Sequence, residues 1–136
     1  MPAITGIAHV ELTVRDLDTS EAWYANLLSV RRVWEGSDDT YGIDARALRE
    51  PVSGIVIALT QHRAGSSEMF DVTRPGLDHL SFAVADRDEL RAWEQRLAEL
   101  GVDYTPIEEW VHGAGLTARD PDGIALEFYV RGAAQG

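Results

Sequence analysis

The sequence predicts an α+β chain built from two βαβββ modules, and three observations carry that reading: an internal repeat, strand periodicity at the start of each copy, and a capped helical segment after it. Gly6-Ile7-Ala8-His9 through Trp23 aligns without a gap on Gly76-Leu77-Asp78-His79 through Trp93. Valine recurs at Val14 and Val84, aspartate at Asp16 and Asp86 and at Asp18 and Asp88, and Ala-Trp at Ala22-Trp23 and Ala92-Trp93. A duplicated unit with one histidine at the same place in each copy can bring both histidines together across a pseudo-two-fold axis. That is one way to build a metal site.

The first module is expected over 4–60. Residues 7–14 alternate, with Ala8, Val10, Leu12 and Val14 on one face and Ile7, His9, Glu11 and Thr13 on the other, which is the period of a strand. Asp18 or Thr19 is placed to cap the next helix, whose core-facing residues are expected to include Ala22, Trp23 and Leu27, with its end near Ser29. Residues 30–34, 41–48 and 54–60 then read as strands, separated by the turn formers Gly36-Ser37-Asp38-Asp39 and Pro51-Val52-Ser53-Gly54.

Residues 61–75 are polar and turn-rich, with Ala64-Gly65-Ser66-Ser67, and read as a linker that can also hold a substrate-contacting loop. The second module is expected over 76–131. Its opening strand, 77–85, places His79 and Ser81 on one face and Leu80, Phe82 and Val84 on the other. A helix over 88–100 is closed by Gly101, and strands follow over 103–107, 115–118 and 124–130, with the tight turn Asp120-Pro121-Asp122-Gly123 before the last. The closing strands also correspond, one residue out of step with the opening match: Gly54-Ile55 pairs with Gly123-Ile124, and Ala58 falls opposite Glu127. In the last strand Ile124, Leu126, Phe128 and Val130 form the apolar face, which leaves Glu127 and Tyr129 on the other.

Composition narrows the chemistry. The 136 residues fit one domain or two small units, with no apolar run near the ~20 residues that span a bilayer and no secretory signal, so a cytoplasmic setting is expected. Zero cysteine removes disulfides, thiolate ligands and cysteine nucleophiles together. All twelve basic residues are arginine, which removes Schiff-base chemistry and a lysine-bearing phosphate loop. A net charge of −11 repels phosphate backbones, so nucleic acid is not an expected partner, and neither is a membrane.

His9, His79 and Glu127 therefore share a face type. Two neutral imidazoles and a carboxylate suit a divalent cation with open positions for water or substrate, with Fe2+, Mn2+, Zn2+ and Ni2+ all compatible. On Ile7-Ala8-His9-Val10, Leu77-Asp78-His79-Leu80-Ser81-Phe82 and Asp120-Pro121-Asp122-Gly123-Ile124-Ala125-Leu126-Glu127-Phe128, the chain resembles the vicinal oxygen chelate superfamily of glyoxalases, bleomycin-resistance proteins and extradiol dioxygenases. The resemblance implies a cupped, barrel-like mixed sheet, a small substrate that chelates a metal ion through adjacent oxygens, and a homodimer.

The chain departs from the pattern of particular subfamilies. The fourth ligand of glyoxalase I falls at Ala58, whose methyl group cannot coordinate. Thr117 stands where extradiol enzymes carry a tyrosine, and His112 lies too close to the Asp-Pro turn to match their upstream histidine. Fosfomycin-resistance enzymes carry a threonine two residues after the first histidine and a phosphonate-binding lysine; here that position is Glu11 and lysine is absent. Glu11, Tyr129 and His112 are the expected proton carriers, and His62 is a substitute ligand at the end of the fourth strand. Trp23 and Trp93 are expected in the core, whereas Trp34, Tyr41, Tyr104 and Trp110 could line a pocket for a flat ligand. The function expected is that of a metal-dependent lyase, isomerase or dioxygenase. The alternative is a metal-free protein that sequesters a small natural product.

Overall fold

In a computed structural model that describes residues 1–132, the chain divides into two compact units, Met1–Glu68 and Met69–Gly136. The first runs β1 (Val10–Thr13), α1 (Leu17–Leu28), β2 (Arg31–Asp38), β3 (Ile43–Arg49) and β4 (Val56–His62). Its sheet has the order β1-β4-β3-β2, with β1 parallel to β4 and the other neighbours antiparallel. The second repeats this as β5 (Leu80–Ala83), α2 (Arg87–Glu99), β6 (Tyr104–Trp110), β7 (Gly113–Arg119) and β8 (Ala125–Arg131), in the order β5-β8-β7-β6. Each unit is a mixed βαβββ sheet with one helix, as the repeat predicts.

Each helix covers one face of its own sheet. Leu17, Ser20, Tyr24, Leu27 and Leu28 are the buried residues of α1 and follow a helical stripe. They meet the face of Leu12, Leu48, Ile57 and Leu59. Ala22, expected in this core, is exposed, because the stripe centres on Tyr24 and turns position 22 outward. In the second unit Leu90 and Leu97 are fully buried, and the Trp93 ring stacks on Phe128 at 4.4 Å with Phe82 beyond it. Trp93 and the half-buried Trp23 are packing residues. The opposite sheet faces, carrying Glu11 and Ala58 in one unit and Ser81 and Glu127 in the other, are not covered by their helix.

Several boundaries differ from expectation for identifiable reasons. Neither Asp18 nor Thr19 caps α1: the N-cap is Asp16, whose Oδ1 accepts the Thr19 N–H at 2.7 Å. Asp86 does the same for α2 through Glu89 at 2.9 Å. At its far end α1 stops on Ser29 in the left-handed region, φ 58°. Strand β2 runs on through Gly36 and Ser37, expected as turn formers, because β3 pairs with it as far as Asp38; the Trp34 indole lies against Gly36, where a Cβ would come within 2.6 Å of the ring. Strand β6 likewise continues to Trp110, so β6 and β7 form a hairpin with Val111 and His112 at its tip.

The opening strands are shorter than the alternation suggested, and His9 and His79 each stand one residue before the strand proper. Pairing begins only where β4 and β8 offer a parallel partner, at Val10 with Ile57 and Leu80 with Leu126. The Asp120–Gly123 turn forms as expected. Asp120 Oδ1 accepts the N–H groups of Asp122 and Ile124, both at 2.8 Å, and Gly123 takes φ 82°. Among the described residues no helix is long and apolar enough to cross a membrane.

The caps give two testable outcomes. Asp86→Ala should lower stability by about 1 kcal/mol, seen as an earlier urea midpoint with unchanged slope. The Asp16 carboxyl is held below the usual carboxylate range, chiefly by the Thr19 backbone N–H. Its folded pKa is the lower one, so its stabilisation is present above the unfolded pKa and is lost as pH falls through the folded value. Asp16→Asn, which caps without titrating, should therefore show a shallower loss of thermal stability on acidification below about pH 4 than the native chain.

Candidate metal centre

The parallel pair β5/β8 sets the geometry of the second unit. Its register places Ser81 beside Glu127, and β7 places Thr117 on the other side of the same carboxylate. Ser81 Oγ donates to Glu127 Oε1 at 2.7 Å, which fixes the carboxylate on the open face. His79 Nε2 lies 3.7 Å from that oxygen, with the imidazole 42% and the carboxylate 16% exposed. Asp78 Oδ1 is 2.7 Å from His79 Nδ1. A carboxylate can only accept, so Nδ1 carries a proton, and in the neutral ring the lone pair is on Nε2, the nitrogen that faces Glu127.

Two donors bound to one ion at about 2.1 Å each stand roughly 3.0–3.4 Å apart. The observed 3.7 Å is close to that separation, so this pair fits a divalent cation with a small inward movement. The structure therefore brings together two of the three predicted ligands. Among the described residues no group of three or more His, Asp or Glu side chains forms a ready metal-holding cluster. His9 is exposed ahead of β1, and it has Ala8 where His79 has Asp78.

The first unit transposes the carboxylate. Glu11 on β1 is paired with Ala58 on β4, whereas the equivalent positions of the second unit hold Ser81 and Glu127. Each parallel pair thus carries one carboxylate at the corresponding row, on opposite strands. His62 is exposed at the end of β4, paired with Ile43. A cleft of about 260 Å³ bordered by Leu17, Glu35, Asp44 and Arg46 includes none of the predicted site residues.

Tyr129 and His112, chosen separately from the sequence, are joined. The Tyr129 hydroxyl donates to the His112 carbonyl at 2.6 Å, and His112 Nδ1 lies 2.9 Å from the same hydroxyl. With its single proton committed to the carbonyl, the hydroxyl accepts from Nδ1–H, so in the neutral ring Nε2 holds the lone pair. The Trp110 ring stacks on His112 at 5.4 Å. Gly113 makes the arrangement feasible: a Cβ there would stand 2.2 Å from the Val130 carbonyl oxygen and 2.7 Å from the Tyr129 hydroxyl. Trp34 and Tyr41 are 57% and 74% exposed, and Tyr104 is half-buried on β6.

Sequence reasoning missed the roles of Asp78 and Ser81. Strict alternation puts Asp78 opposite His79, but both precede β5, where no ladder holds adjacent side chains on opposite faces. Ser81 was placed on the right face, and only the register shows that it meets Glu127.

Residues 6–128 match the family described as the Glyoxalase/Bleomycin resistance protein/Dioxygenase superfamily. A crystal structure of a glyoxylase/bleomycin resistance protein/dioxygenase domain from Frankia sp. EAN1pec is 40% identical, with a TM-score of 0.87 over 96% of this chain and 95% of that one. The fosfomycin resistance protein FosX of Listeria innocua is 20% identical over 112 residues, 82% of this chain and 77% of that protein. FosX from Listeria monocytogenes, crystallised with Mn(II) and sulfate, is 19% identical with a TM-score of 0.69 over 98% of each chain, a likeness of fold. With a match that spans nearly its whole length, the chain belongs to the glyoxalase/bleomycin-resistance/dioxygenase superfamily.

Proposed function

We propose that the chain is a divalent-metal-dependent enzyme acting on a small substrate that chelates the ion through vicinal oxygens. The observation that carries this is the pairing of His79 Nε2 with Glu127 Oε1 at 3.7 Å, each oriented by its own partner, Asp78 and Ser81. Such outer partners orient the imidazole and the carboxylate in metal sites. His9, the repeat equivalent of His79, is assigned as the third ligand. The Mn(II)-bound FosX of the same fold supports a divalent ion in general, with Fe2+, Mn2+, Zn2+ and Ni2+ all compatible with the donors.

A bound ion would supply Lewis acidity, stabilising negative charge on substrate oxygens. The chain's own residues would handle the proton. His112, held in its Nδ1–H form by Tyr129, offers Nε2 as acceptor, so Tyr129 positions the base. Glu11 is a second acceptor on the open face of its own sheet. Trp110, stacked on His112, gives a flat substrate a surface to lie against. A small-molecule ligand and a homodimeric assembly complete the proposal.

Protein purified anaerobically without chelator should carry near-stoichiometric metal by elemental analysis, and His79→Ala should lose it together with activity. Full retention of metal in that variant would sink the assignment. A native protein that is metal-free but binds aromatic natural products would instead favour sequestration.

A further inference from the structure

Arginine is the chain's only cationic side chain besides histidine, and most guanidinium groups meet carboxylates. Arg32 and Arg46 are tied to Glu21, Arg63 to Asp39 and Asp44, Arg87 to Glu109 and Arg91 to Asp88. Arg31, Arg49 and Arg131 are exposed, where their N–H groups are open to solvent. Arg119 differs. It is half-buried at the end of β7, its Nη1 is buried, and that nitrogen has no hydrogen-bond partner. Among the described residues no ion pair or ring contact takes up its charge.

A guanidinium cannot shed its proton to escape such a position, so an enclosed N–H without an acceptor is a standing cost. In a chain of net charge −11 an acidic neighbour would have been easy to supply. The register shows where the group belongs. Arg119 is paired with Ala125, two residues before Glu127, and it shares a face with Thr117, the β7 partner of that carboxylate. Arg119 thus lies one pleat repeat, about 7 Å along the strand, from the row of Glu127.

We infer that Arg119 is the anchor for a carboxylate group of the substrate. The fork geometry of a guanidinium suits a carboxylate bidentately, and burial strengthens such a bond. A lone positive charge so near Glu127 balances a monoanion better than a dianionic phosphoryl group. This deepens the proposed function and rests on it for the location of the reacting end: a substrate with vicinal oxygens at the ion and a carboxylate several bonds away spans the two positions.

The test uses the full-length, metal-free protein, so it reads Arg119 independently of the metal assignment. Thermal unfolding is compared in sodium acetate, sodium phosphate and sodium chloride at equal ionic strength, for the native chain and for Arg119→Met and Arg119→Lys. The expected result is an acetate-specific rise of about 3–5 °C in the native protein when acetate is tenfold above its dissociation constant. The rise should be partly kept in Arg119→Lys and absent in Arg119→Met, with Arg119→Met at least as stable as the native chain in chloride. The same acetate response in native protein and Arg119→Met overturns the inference, as does a response larger for phosphate than for acetate. Should Arg119→Met fail to fold, an acetate response in Arg119→Lys that is smaller than the native one supports the site, and an undiminished response in Arg119→Lys or a native protein indifferent to acetate refutes it. Failure of the metal reading would appear separately, as His79→Ala retaining its metal.

Discussion

The registers of two short parallel strand pairs govern everything built on these units. Four residues of β5 against four of β8 put Ser81 beside Glu127, with His79 at the mouth of the same pair. A slip of one residue would turn Glu127 under α2 and bring Leu126 or Phe128 to the open face, exposing the core and abolishing the donor pair in one step. The apolar contacts of Trp93, Phe82 and Phe128 therefore fix the position of a carboxylate on the opposite face of the sheet.

The same register in the first unit leads to different chemistry. Glu11 faces Ala58 there, so the carboxylate sits on the opening strand instead of the closing one. His9 has no aspartate beside it as His79 has. The repeat reproduces the scaffold and its pairing, while the polar contacts made by Asp78 and Ser81 fall at Ala8 and Glu11 in the first unit. The second unit concentrates the organised polar groups: Asp78, Ser81 and the Tyr129–His112 link, with Arg119 held nearby in want of an anion.

Glycine marks where aromatic side chains approach these strands closely. Gly36 receives Trp34, Gly115 lies under Trp110, and Gly113 clears the space for Tyr129 and His112. Such residues look like turn formers in sequence, as Gly36 does. Their function in the fold is to omit a side chain where a neighbouring ring or carbonyl takes its place.

The repeat, the period-two alternation and the Asp-Pro-Asp-Gly turn were enough to give the α+β class, the order of elements and the shared face of Glu127 and Tyr129, because those properties depend on local periodicity and copying. The caps at Asp16 and Asp86 and the burial of Tyr24 in place of Ala22 came from hydrogen bonds and helix phase that alternation does not report. Only tertiary structure paired Ser81 with Glu127, joined Tyr129 to His112 and left Arg119 Nη1 without a hydrogen-bond partner among the described residues. Those facts depend on strand register and on which side chains meet across many residues of chain. Residue type and spacing leave such contacts open; a folded register closes them.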